Sequence, residues 1–325
     1  MGALLAGVLI AWQGASVRQA LSSASWQLLL TGVLCYLATQ FLSALRWRVL
    51  LRAAAHDTKS TPVAPGMLEC FRIYLIGMFW NLWMPTAIGG DAMRAYLISR
   101  HTGDLPLAAS SVLADRLTGF VALIFIGATG LLLQLAPNTA NESGNGRALR
   151  TLLLAIVVLA CFVAVVALAR ALAYRLEDPQ TSGSTSTDAA GWKAKLTSFW
   201  IKLHRALDAY LAPQARGAVV IAVLLSLALQ CGQIAINIFL ARAVGLEVPF
   251  VTFAWLIPSL ALASMLPLGI GGLGVREAAA VALLGGTASG TVIAPGTIIA
   301  WSLLWQATVW LSALPGAAAH ALHRK

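Results

Sequence analysis

Apolar runs of 18 or more residues recur along this chain, and they decide what it can become. They fall at about 3–15, 26–45, 67–84, 107–135, 149–173, 216–245, 250–268, 274–286 and 294–316. Crossing a hydrocarbon core of ~30 Å takes about 20 helical residues, and most of the runs are that long. They are continuous rather than alternating, which excludes an outer-membrane barrel. Composition agrees: 59% of residues are hydrophobic and 10% charged, with mean hydropathy +0.81. A soluble domain carries ~25% charged residues. A soluble enzyme, a disordered tail and a nucleic-acid module are thereby excluded. The expected fold is an all-α polytopic membrane protein. It would have about six to seven spanning helices plus two re-entrant helical hairpins in an inverted repeat.

The repeat is read from one recurring motif. Residues Pro85 to Arg94 read PTAIGGDAMR, and Pro267 to Arg276 read PLGIGGLGVR. Both fit PxxIGGxxxR, 182 residues apart. Each follows a short apolar stretch and precedes a long spanning one. With 26–45 ending on one side, the first broken segment enters and leaves from that side. Three crossings later the second enters from the other. Paired interrupted segments in two halves are the sequence pointer to a transporter site near the midplane. The chain 1–325 thus reads as a single transmembrane domain. Its first half is 26–135 and its second 216–316.

Between them, 174–215 reads as a linker and a surface helix. Residues 177–191 are polar and flexible in composition. From 192 to 212, Trp192, Phe199, Trp200 and Leu203 recur at spacings of three and four with interleaved lysines. That predicts an amphipathic helix with this stripe facing acyl chains. Placing 46–65, Arg100, 170–216 and the C-terminus on one side puts fourteen Lys/Arg there and four opposite. The bias predicts a multi-pass protein of the inner (plasma) membrane with that side cytoplasmic. It also accounts for the net charge of +10 without nucleic acid. Trp80, Trp83, Trp301, Trp305 and Trp310 read as interfacial anchors, the usual case, or as lining of a lipid cavity.

Asp91, Arg94, Asp115, Arg116, Arg276 and Glu277 are ionisable groups in apolar surroundings. Each costs roughly 2.5–3.5 kcal/mol at a helix centre, so each is expected to face a cavity or a partner. One reading is an anion site. Gly89-Gly90 and Gly271-Gly272 expose backbone N–H groups, half-helix N-termini add their dipoles, and Arg94 and Arg276 bind phosphate. Asp91, Asp115, Arg116 and Glu277 are then the charge partners, with Asp115 pairing to Arg94. The other reading is ion pairs that only pin the broken helices. The four cysteines and five histidines form no ligand cluster, so no metal and no cofactor is expected. GxSxG, HExxH and GxxxxGK[ST] are missing, and so is an acidic DxD, so no enzyme activity is expected.

The run Ala44 to Leu51 (ALRWRVLL), PTAIGGDAMR, Ala114-Asp115-Arg116 and Pro267 to Glu277 (PLGIGGLGVRE) occur in that order. Together they resemble the transmembrane region of lysylphosphatidylglycerol synthases, a flippase-like family. The resemblance covers nearly the whole chain and implies lipid translocation. Lys325 follows the last apolar segment closely, so synthase activity is not expected to carry over. The expected function is flippase-like movement of a phospholipid or lipid-linked head group between leaflets. The alternative is a non-transporting subunit that presents a lipid to a separate glycosyltransferase or lipid synthase. Expected partners are a lipid with an anionic head group, a lipid-modifying enzyme, or a second copy of the chain.

Overall fold

The computed structural model describes residues 19, 22, 24–55, 65–83, 88–134, 198–199, 201–203, 206–264, 274–285 and 293–323. Four helices come first: α1 (Trp26–Ala55), α2 (Met67–Asn81), α3 (Ile88–Thr102) and α4 (Leu105–Gln134). Two short 3-10 turns follow, Ala209–Leu211 and Pro213–Ala215. The second four are α5 (Arg216–Ala243), α6 (Phe250–Ser264), α7 (Val275–Leu284) and α8 (Pro295–His323). The described residues contain no strand. The chain is an all-α membrane protein. α1, α4, α5 and α8 are each long and apolar enough to cross a membrane. The candidate spans at 3–15 and 149–173, and Gly271-Gly272, lie outside the described residues.

Both groups of four run long, short, short, long, with lengths of 30, 15, 15 and 30 residues against 28, 15, 10 and 29. A 15-residue helix is about 22 Å long, too short for a ~30 Å core. α2 and α3 fold back on each other as a hairpin. Glu69 meets His101 at one end, and Asn81 bonds Gly90 at the other.

The two groups pack equivalently. α2 lies on α3, α3 on α4, and α1 on α2 and α4; α6 lies on α7, α7 on α8, and α5 on α6 and α8. Across the groups, α4 packs on α6 as α8 packs on α2, and α4 on α5 as α8 on α1. Exchanging the groups leaves these pairs unchanged. α1 and α5 cross antiparallel at the centre: Gly32 sits at Leu240, Thr39 at Gly232 and Gln233, and Arg46 at Ser226. Antiparallel packing of equivalent helices is the signature of inversion.

Small residues set the closest approaches, as they do where backbones meet in lipid. Gly127 and Gly130 on α4 face Pro258 and Ala254 on α6. Gly316 on α8 faces the Leu75 carbonyl and Phe79 on α2. Within the first hairpin a Cβ on Gly90 would overlap the Gly77 carbonyl and the Asn81 amide. Gly90→Ala is therefore expected to destabilise by about 1–3 kcal/mol. Gly217→Ala, which meets open space, is expected to be neutral or slightly stabilising. Thermal unfolding of the purified variants in detergent reads the difference.

Three expectations need correction. Trp301 is fully buried and Trp305 nearly so; the Trp301 indole donates to the Asn237 carbonyl at 3.2 Å and its ring packs against Phe253. These two are core, not interfacial anchors, whereas Trp83 and Trp310 are exposed. Leu203 is buried rather than turned to acyl chains. Nearby, Tyr210 is buried too and donates to the Leu50 carbonyl at 3.1 Å, tying this region to α1. Of the predicted surface helix, residues 192–197, 200, 204 and 205, Trp192 and Trp200 among them, lie outside the described residues, and Phe199 is half-buried. Finally, α1 continues to Ala55, and Arg46 is buried within it rather than one of the basic residues of the cytoplasmic side.

Candidate functional site

Two arginines in the repeated motif anchor two polar clusters. Arg94 sits on α3, buried, its guanidinium carbon 4.3 Å from the centres of both the Trp47 and Tyr74 rings. Such stacking suits a planar, weakly hydrated cation. Its Nη2 donates to Asp115 on α4 at 3.0 Å, and its Nη1 to Asp91 at 3.4 Å. Asp115 thus meets Arg94, as its burial in an apolar helix requires.

A residue that the sequence reading counted among the basic residues of the cytoplasmic side completes this cluster. Arg46 Nε donates to the second Asp115 oxygen at 2.8 Å. Its Nη1 reaches Ser226 on α5, also at 2.8 Å. One buried carboxylate therefore joins α1, α3 and α4, and Arg46 extends the link into the second half. The available signal was the motif context of Arg46 itself: a buried Asp115 with two acceptor oxygens has room for two cations.

Arg116 points away from Asp115, as adjacent helical residues do. It grips Asp91 through Nε at 2.6 Å and Nη2 at 2.9 Å, a two-point fork. The Arg116 side chain remains 43% exposed. Gly89 and Gly90 lie in the first turn of α3, not in an open turn. The Gly90 N–H donates to Asn81 Oδ1 at 2.7 Å.

A cavity of about 160 Å3 opens beside this cluster. Tyr36 and Gln40 of α1, Asn81 of α2, Asp91 and Arg94 of α3, and Arg116 of α4 line it.

The second cluster is closed. Arg276 is buried on α7. Its Nε donates to Ser302 Oγ at 3.1 Å, and its Nη2 to the Ser302 carbonyl at 3.2 Å, Gln306 Oε1 at 2.7 Å and Glu277 Oε1 at 3.3 Å. Its guanidinium lies 4.6 Å from the Trp305 ring centre. Glu277 accepts from Ser302 Oγ at 2.9 Å and from the Gly274 N–H at 2.6 Å. The second of these is a carboxylate closing the N-terminus of α7. Gly274 has φ of +85°, a conformation open to glycine and costly for other residues. The last glycine of GGLGVRE is thus a backbone requirement.

Among the described residues, no group of three or more His, Cys, Asp or Glu could hold a metal ion. The clusters instead combine fixed cations, committed carboxylates and one open polar cavity. The chain matches the family described as lysylphosphatidylglycerol synthase TM region over residues 1–316. It belongs to the lysylphosphatidylglycerol synthase transmembrane-region family. No curated protein and no solved structure matches it at the similarity required. As a member of that family it is a lipid-related, multi-pass membrane protein. GGDAMR carries Asp91 and Arg94 of the open cluster, and GGLGVRE carries Arg276 and Glu277 of the closed one.

Proposed function

We propose that this chain moves a phospholipid or lipid-linked head group between leaflets of the inner (plasma) membrane, without enzyme activity of its own. The observation that supports it is the equivalent packing of two antiparallel four-helix groups, each with a buried arginine cluster. Alternating access needs two such gates about a site near the midplane. In this reading the two hairpins enter from opposite faces. Arg94 and Arg276 are the anion-binding arginines, with Gly89, Gly90, Gly271 and Gly272 at the broken helices. Asp91, Asp115 and Glu277 balance their charge, and Arg116 is the charge partner of Asp91. With Arg46 removed from the cytoplasmic count, thirteen basic residues against four still favour a cytoplasmic C-terminus.

A second reading is favoured by Arg276, whose Nε and Nη2 are already bonded to protein. Such a cluster would hold a static scaffold that presents lipid to a separate glycosyltransferase or lipid synthase. Reconstitution separates the two. Vesicles containing the chain and a fluorescent phosphatidylglycerol are treated with an impermeant quencher. Transport predicts loss of inner-leaflet label at a rate proportional to the protein present. Protection equal to that of protein-free vesicles would favour the scaffold.

A further inference from the structure

The two halves match in packing but not in charge. In the first, Arg46, Arg94 and Arg116 face two carboxylates, Asp91 and Asp115. That network carries one uncompensated positive charge. In the second, Arg276 is matched by Glu277. Excess charge in an apolar setting is costly unless a counter-ion or water relieves it. The excess sits where the cavity is. Arg94 lines the cavity, and its buried Nε has no hydrogen-bond partner among the described residues. Orphaned buried donors of this kind call for an explanation, and an absent ligand is one. Arg116 lines the same cavity with its side chain partly exposed. Asn81 commits its oxygen to Gly90, which leaves its amide N–H groups for a ligand.

We infer that the first-half cavity is the resting phosphate site, that Arg116 is its principal contact, and that Asp91 is the carboxylate the phosphate displaces. The inference rests on the transport reading for its role, not for its existence. The ligand class is a phosphate or phosphodiester anion. Asp91 holds the Arg116 fork in the empty state through two short bonds. An entering phosphate offers the same fork two oxygens, so it competes with Asp91 for one guanidinium. Arg94 Nε and Asn81 supply further donors. In the second cluster Arg276 is instead committed to Ser302, Gln306 and Glu277.

The sign of one variant makes the idea testable. Asp91→Asn removes the competitor and raises the positive excess, so anion affinity should rise. Arg116→Gln removes the fork, so affinity should fall. If Asp91 and Arg116 were only a structural pair, neither change would shift affinity for an anion. Purified full-length chain in a neutral detergent is titrated with dioleoylphosphatidylglycerol, and the midpoint of its saturable thermal stabilisation is recorded. Asp91→Asn should lower that midpoint about tenfold and Arg116→Gln raise it about tenfold, the scale of one charge-assisted contact. Arg116→Lys should fall between wild type and Arg116→Gln. Arg242→Gln removes a positive charge at the exposed end of α5 and should leave the midpoint unchanged. Sodium phosphate is titrated in parallel. Stabilisation by lipid alone assigns a lipid head group, and stabilisation by phosphate with the same variant dependence assigns a free anion. No saturable stabilisation by either, or an unchanged midpoint in Asp91→Asn, overturns the site. Wild-type vesicles that fail to move lipid while Arg116→Gln loses binding would refute transport and leave the site standing. Active vesicles whose Arg116→Gln chain binds like wild type would refute the site alone.

Discussion

Asp115→Asn should unfold most of this protein's first half or keep it from accumulating in the membrane. The carboxylate is almost fully buried and accepts from Arg46 at 2.8 Å and Arg94 at 3.0 Å. Removing one partner of a buried pair costs about 3–5 kcal/mol, because the other charge stays buried without compensation. Here two arginines would be left. That loss is a large fraction of a typical folding stability of ~5–15 kcal/mol. Asp91→Asn is expected to be much milder, since its partner Arg116 is partly exposed and can be hydrated. Adding Arg46→Met to Asp115→Asn should recover part of the loss by withdrawing one orphaned cation. Membrane abundance and detergent unfolding temperature check all three. Wild-type stability for Asp115→Asn would mean the network is not the lock described here.

The second large effect concerns Arg276→Lys. The arginine fork ties α7 to Ser302 and Gln306 on α8 while its face covers Trp305. A lysine head is a point charge and cannot reach these acceptors together. Each buried acceptor left bare costs about 1–3 kcal/mol. The unfolding temperature should therefore drop, and lipid movement per folded molecule should fall at least tenfold by the transport reading. Lysine keeps the positive charge, so in an open site it would spare the fold and weaken only anion binding. The closed geometry adds the stability loss. A variant that is destabilised yet moves lipid at the wild-type rate would give Arg276 a purely structural role.

How far the residues foretold this arrangement depends on the range of the interaction. Run length placed α4 and α5 within about two residues and found the starts of α1 and α8, but ended these two early, at 45 and 316 against 55 and 323, because lipid demands about 20 helical residues and little else. The Asp115–Arg94 pair was also readable, since an ionised group in an apolar helix must find a partner. Arg46 was not. It breaks the apolar run, so α1 read as ending at residue 45. The helix continues because Asp115, 69 positions away, neutralises the charge. Trp301 and Trp305 were misread because nothing local marks their helix as the interior one; α8 is the most enclosed of the four long helices. The GG motif was legible as a break but not as a packing device. Only the overlap of Gly90 with Gly77 and Asn81 reveals that role. The need for glycine at 274 follows from a backbone angle that no motif states.

Lipid movement by exchange between two equivalent halves is tested most directly by locking them together. Gln134 on α4 and Thr252 on α6 meet across the halves, Thr252 Oγ1 donating to Gln134 Oε1 at 3.3 Å. A Gln134→Cys/Thr252→Cys chain, with the four native cysteines replaced, is reconstituted with fluorescent phosphatidylglycerol and oxidised. Quenching of inner-leaflet label should stop as the cross-link forms and return when a thiol reductant opens it. Lipid movement at the unlocked rate in fully cross-linked protein would contradict the account.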